Sequence, residues 1–212
     1  ARMRTLAETH EVSILIGSLG VKSEAVEGKF ANRSFLIDQM GKVVAKYDKI
    51  HMFDVDISET ESYRESATYE RGTKAVLAKT DFGIVGLSVC YDVRFPHLYR
   101  ALAQAGAEIL TVPAAFAQTT GQAHWHALLR ARAIENGAYI LAPAQTGLHY
   151  TKDGKERRTY GHSLVVSPWG EVLVDAGVEP GVTCFDIDLG EVSKARSRVA
   201  SLTQSSVFEG PQ

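Results

Sequence analysis

A chain of 212 residues, 45% apolar and 23% charged, is long enough to bury a full core and reads as one domain over residues 1–212. Its formal net charge of -2 gives no electrostatic basis for nucleic-acid binding, and no apolar run is long enough for a bilayer, so a small-molecule or protein partner is expected. The two cysteines, Cys90 and Cys184, lie far apart with no second pair beside either; this argues against a disulfide framework and a thiolate zinc site and favours a reducing cytoplasm.

No signal peptide opens the chain, and the missing initiator Met in "ARMRTLAETHEVSILIG" points to residues upstream of Ala1. A short helix is predicted over residues 1–10, then a buried strand in "VSILIGSLG". "RSFLIDQMGKVVAKYDKI" predicts a hairpin turning at Met40-Gly41, and "ISETESYRESATYERG" a polar loop. "FGIVGLSVC" reads as a strand apolar on both faces, ending at Cys90, and "PHLYRALAQAG" as a helix with Pro in its first turn and Gly at its end. "EILTVP", "HWHALLRARAIENG" and "AYILAPAQTG" follow as strand, helix closed by Gly137, and strand. "HSLVVSPWGEVLVDAG" predicts a hairpin around residues 168–170, "TCFDID" a strand and "LGEVSKARSRVA" a helix. Strands alternating with helices and mixed with hairpins predict a layered α/β sandwich on a mixed sheet.

Cys90 falls where the apolar run stops and a helix is about to begin. Free amides and the positive helix end at such a turn favour a thiolate nucleophile, and the Tyr91 N–H is placed to receive the oxyanion of a tetrahedral intermediate. Cys184 in "GVTCFDID" reads instead as a small packed hydrophobe. No histidine carries a papain-like local signature, and the two rings of "HWH" point to different helix faces, so neither a thiol protease nor a metal site is expected there.

"YDKIHMFD" at 47–54, "RES" at 64–66 and "GLSVCYDVRFP" at 86–96 resemble, in order and separation, the three motifs of the carbon–nitrogen hydrolase, or nitrilase, superfamily. "AGAEILTVPAAF", "AHWHALLRARAIENGAYILAPAQTG" and "YGHSLVVSPWGEV" carry the likeness over nearly the whole chain. The resemblance implies a four-layer α-β-β-α sandwich and an amidase without cofactor, with Cys90 as nucleophile, Lys49 as the cation on the oxyanion and Glu65 as an orienting glutamate. It also implies a general-base glutamate at the end of a strand ahead of the first helix. The sequence opens after that point, and Glu8 and Glu11 lie in the wrong element. Two readings follow: an N-terminal segment completes the site, or the chain is an inactive binding homologue.

"CYDVRFP" resembles the amidase branch rather than the nitrilases proper, with deaminated-glutathione amidases nearest and omega-amidases next. His97 and His126 depart from the Glu often found at both places. The implied partners are water and a small carboxylate-bearing amide, and the implied assembly is a homodimer or larger. Arg94 is expected to hold Asp92 and shape the turn, or to bind substrate, and Ala115, Phe116 and Thr119 in "AAFAQTTG" to line the pocket. Lys152, Lys155, Arg157 and Arg158 read as a solvated hairpin tip more readily than as an anion-attracting rim.

Overall fold

The protein is described by a computed structural model covering residues 1–57, 59, 62–150, 156–204, 206 and 208–211. Helix α1 (Arg2–His10) rests through buried Ala7 on a sheet formed by β1 (Ile14–Lys22), β2 (Phe30–Ile37) and β3 (Val43–Asp48). The β2–β3 hairpin turns at Gly41 with φ 69°, where a Cβ would stand 2.7 Å from the Arg4 carbonyl oxygen, so only glycine fits. β1 is half-buried to exposed rather than the buried strand its apolar run suggests, since β2 is its partner on one edge and its residues meet solvent on the other.

The polar stretch expected to be a plain loop contains β5 (Ser62–Arg64), paired with β4 (Asp54–Asp56) just ahead of it, a 3-10 turn at Glu65–Ala67, and β6 (Tyr69–Glu70) added parallel to β2. Hydropathy has no period there, so pairings this short leave no trace in the sequence.

The second sheet is built from β7 (Val76–Thr80), β8 (Gly83–Leu87), β9 (Ile109–Thr111), β10 (Tyr139–Ala142), β13 (Leu164–Val166) and β14 (Val172–Asp175). Its order is β14-β13-β10-β9-β8-β7, parallel across β8, β9 and β10 and antiparallel elsewhere. Helices α2 (Pro96–Gln104) and α3 (Gln118–Asn136) make the two crossovers between parallel strands. Pro96 opens α2 at a position whose N–H has no helical acceptor, and Gly137, at φ 53°, closes α3. α3 starts at Gln118, six residues before the "HWH" from which the sequence reading began it. β11 (Thr146–Tyr150) and β12 (Glu156–Tyr160) form a separate hairpin against α3.

Two cores hold the layers together. Leu36, Ala45 and Tyr47 of the first sheet face Ala78, Val85, Leu87 and Ile109 of the second, while Leu98, Leu102, Trp125 and Leu129 of α2 and α3 pack on its other face. The layers therefore run helix, sheet, sheet, helices, as the resemblance implied. α4 (Gly190–Arg198) closes the chain, its Arg196 donating to the carbonyls of Asn136 and Ala107. "TCFDID" is not a strand: no sheet edge receives it, and Cys184 is exposed rather than packed.

Candidate active site

β8 ends at Leu87, three residues before the cysteine that the sequence reading placed at its end. The chain then stays beside the extension of β9, with Ser88 N donating to Thr111 O (3.2 Å) and Cys90 N to Pro113 O (3.0 Å). Cys90 opens a 3-10 turn, Cys90–Arg94, in the left-handed region at φ 50°. That conformation costs a non-glycine residue about 1–3 kcal/mol and persists only where neighbours hold it.

Asp92, fully buried, supplies that hold. One carboxylate oxygen accepts from Val89 N (2.8 Å) and Tyr47 OH (2.7 Å), the other from His51 N (3.1 Å) and His51 Nδ1 (2.7 Å). Since a carboxylate can only accept, Nδ1 is the protonated nitrogen of His51 in this contact. Burial and the neighbouring carboxylate push the Tyr47 phenol far above its ordinary pKa, so it stays a donor. Asp92 thus ties the cysteine turn to residues 47–51, the stretch that carries Lys49. The reading that gave Asp92 to Arg94 is corrected: Arg94 lies over the rings of Phe116 (5.3 Å) and Tyr91 (6.0 Å) and meets His124 Nδ1 at 3.2 Å.

Lys49 is 3% exposed and its ammonium is paired with Glu65. The same carboxylate accepts from Asn32 Nδ2 (3.0 Å) and Phe53 N (2.7 Å). A buried ammonium must be paired in this way, and three donors on one carboxylate fix the position of both partners. On the other side of the cysteine, the Ala115 backbone pulls the Cys90 pKa down, while Ala115 O accepts from Arg157 Nη2 at 2.6 Å. Arg157 Nε is buried with no protein acceptor among the described residues.

Burial opposes the thiolate that the position of the cysteine in the sequence favours. It pushes the Cys90 thiol above its ordinary pKa; Lys49, the Ala115 backbone and Arg157 pull it down, and Glu65 pushes it up again. Desolvation outweighs the cations because the sulfur is wrapped by the chain on both sides, which a position in sequence cannot reveal.

The remaining expected residues are scattered more widely. Tyr91, second in the 3-10 turn, has an opening amide with no acceptor in its own helix, and its ring meets Phe53 and Phe95 edge-on. Phe116 is buried against Trp125 at 4.9 Å, and Thr119 is exposed in the first turn of α3. Arg158 faces outward in the middle of β12, while Lys152 and Lys155 lie outside the described residues. Asn32 and the Asp92 clasp escaped the sequence reading. Asn32 had no distinguishing neighbour, and a buried Asp in a polar tripeptide looks like any turn residue. A cavity of about 920 Å³ lies between the two sheets and contains none of Cys90, Lys49 or Glu65. The chemistry clusters around the thiol and not in that cleft.

A layered α/β sandwich with a strained, partly buried cysteine beside a lysine–glutamate pair is the architecture of an amide-bond hydrolase with a cysteine nucleophile. The carbon-nitrogen hydrolase family model matches residues 1–197, and the chain belongs to that family. It is 44% identical over 208 residues to the deaminated glutathione amidase of Synechocystis, covering 97% of this chain and 75% of that protein. The NitFhit protein of Caenorhabditis elegans superposes with a TM-score of 0.83 at 38% identity, over 96% of this chain and 49% of that one. A glutamate-to-glutamine mutant of the Nesterenkonia amidase, with the acetamide moiety of fluoroacetamide added covalently at its active-site cysteine, superposes at 0.73 and 28% identity, over 95% of this chain and 70% of that one.

Proposed function

We propose that residues 1–212 belong to one domain of a protein that hydrolyses deaminated glutathione, a small carboxylate-bearing amide, through a thioester on Cys90. The observation that carries this reading is the Arg157 guanidinium, held by the Ala115 carbonyl at 2.6 Å and near enough to Cys90 to favour its thiolate. A cation thus lies beside the nucleophile, where its charge suits a substrate carboxylate.

Cys90 Sγ attacks the amide carbon, and the developing oxyanion is received by Lys49 and by the Tyr91 N–H. The thiol proton goes to the leaving amine, and water then releases the acid. Glu65, already accepting from three donors, suits the orientation of Lys49 rather than proton transfer. The proton carrier is the glutamate that the family resemblance puts ahead of the first helix. The named relative favours deaminated glutathione over an omega-amide. A homodimer or larger assembly goes with this reading and is checked by light scattering.

In the test, Arg157→Ala raises KM for deaminated glutathione about 10- to 100-fold, the loss of one charge-assisted hydrogen bond. KM for butyramide, which has no carboxylate, stays unchanged. Equal effects on both substrates, or a trapped acyl group on Cys184 instead of Cys90 by mass spectrometry, reject the reading.

A further inference from the structure

Rings two apart on a helix point to different sides, and in α3 they do: His124 turns to Arg94 while His126 turns to Asp175 at the end of β14. A third group meets them there. His162, in the link between β12 and β13, contacts the same carboxylate, its Nδ1 at 2.9 and 3.1 Å from the two oxygens, while His126 Nε2 lies 3.0 Å from Oδ2. The ligand-type atoms of all three residues lie within 4.8 Å of one another.

The cluster is held rigidly. His162 has a left-handed backbone, φ 54°, which a histidine adopts only at a cost. Trp125 Nε1 donates to its carbonyl (2.8 Å), its own N–H donates to Gly177 O (2.7 Å), and Tyr160 stacks on its ring at 4.4 Å. Gly177 N in turn donates to Asp175 Oδ1 at 2.9 Å. Three separate elements therefore converge on one point through contacts to each supporting backbone.

We propose that His126, His162 and Asp175 form a binding site for a divalent cation of the zinc class, outside the hydrolytic centre. Two imidazoles and one carboxylate are the donor set of Zn²⁺, Co²⁺ and Ni²⁺, and not of Mg²⁺ or Ca²⁺, which take oxygen ligands. An ion at about 2.1 Å from each atom separates its ligands by about 3.0 Å at right angles and about 3.4 Å in a tetrahedron. The observed nitrogen–oxygen separations of 2.9–3.1 Å fall at the edge of that range, so the ion takes the place of the imidazole protons as the two rings close on it from within 4.8 Å of each other. The side chains are 25–35% exposed, which leaves the remaining coordination positions to water. The bound ion ties α3 to the β13–β14 hairpin.

The experiment titrates Zn²⁺ into the tag-free Cys90→Ser protein by calorimetry, the serine removing the competing thiol. One equivalent is expected to bind and to raise the melting temperature, and Co²⁺ is expected to show visible ligand-field bands. Asp175→Asn and His126→Gln each weaken affinity by more than the roughly 10- to 100-fold typical of losing a group that only hydrogen-bonds a ligand, while His124→Gln leaves it unchanged. His126 lies on a partly exposed helix face, so His126→Gln keeps the fold, checked by circular dichroism, and carries the test alone if Asp175→Asn does not fold. No stoichiometric uptake, uptake that survives His126→Gln, or uptake lost in His124→Gln overturns the proposal.

Discussion

At the scale of the residue, the site is governed by what burial does to charge. The Cys90 thiol sits above its ordinary pKa because desolvation outweighs Lys49, the Ala115 backbone and Arg157. Alkylation requires thiolate, so the rate of Cys90 carboxamidomethylation is expected to keep climbing beyond pH 9, followed by mass spectrometry of the Cys90 peptide. Lys49→Met removes the leading opposing charge and moves that rise further alkaline. It also lowers kcat on the order of 100- to 1000-fold, the effect of losing one oxyanion donor. The linkage has the same sign: stability from the neutral buried thiol is present below the unfolded thiol pKa and lost as pH rises toward the higher folded value. Asp92 offers a second test. Its two oxygens each face a fixed backbone donor, Val89 N and His51 N, so in Asp92→Asn the amide NH₂ confronts an N–H whichever way it is turned. The expected loss is about 3–5 kcal/mol, read from the urea midpoint, with a fall in kcat as the lysine and cysteine segments lose their common anchor. Cys90 stood out in the sequence less by its place between an apolar run and a helix start, which a packed cysteine also takes, than by the joint likeness of the three motifs that carry Lys49, Glu65 and Cys90. The clasp did not, because its partners lie 3, 41 and 45 residues away from Asp92.

At the scale of the element, the β12 strand carries Arg157 toward the thiol, and its position depends on one glycine of α3. A Cβ on Gly121 would stand 2.4 Å from Tyr160 Cβ, so helix and strand touch closer than any side chain allows. Gly121→Ala is expected to cost about 1–3 kcal/mol by overpacking and to raise KM for a carboxylate-bearing amide as β12 is pushed away. Urea melts and steady-state kinetics measure the two effects separately; an unchanged KM would show that β12 does not set the position of Arg157. Long periodic elements, α2, α3 and the β8–β10 strands among them, were readable because their apolar faces repeat over several turns or fill both sides of a strand. β4, β5 and β6 were not, being only two or three residues long. "TCFDID" fails for the converse reason: alternation of apolar and polar residues makes a strand only where a sheet edge is available to pair it.

At the scale of the whole molecule, the two sheets do not close on each other everywhere. Around Tyr47 and Leu87 their faces interlock, but toward β1, β13 and β14 a cleft of about 920 Å³ opens, lined by Leu15, Leu36, Leu141, Val165 and Val174 among others. Apolar walls in contact with solvent attract an amphiphilic aromatic dye, whereas a well-filled sandwich does not. The chain is therefore expected to enhance the fluorescence of anilinonaphthalene sulfonate in native buffer while keeping a single cooperative melt and its near-ultraviolet circular dichroism. Those two observables separate a dye bound in a formed cleft from a loosely packed state, which loses both. Leu141 is only partly buried on the cleft wall, so Leu141→Lys places an ammonium in the cleft without opening the core. Dye enhancement should fall several-fold in that variant with the melt unchanged, and because the cleft holds none of Cys90, Lys49 or Glu65, alkylation of Cys90 should proceed at its former rate. Dye binding that survives Leu141→Lys, or a cleft variant that slows Cys90, would mean that the sheets' open side and the thiol are one site and not two.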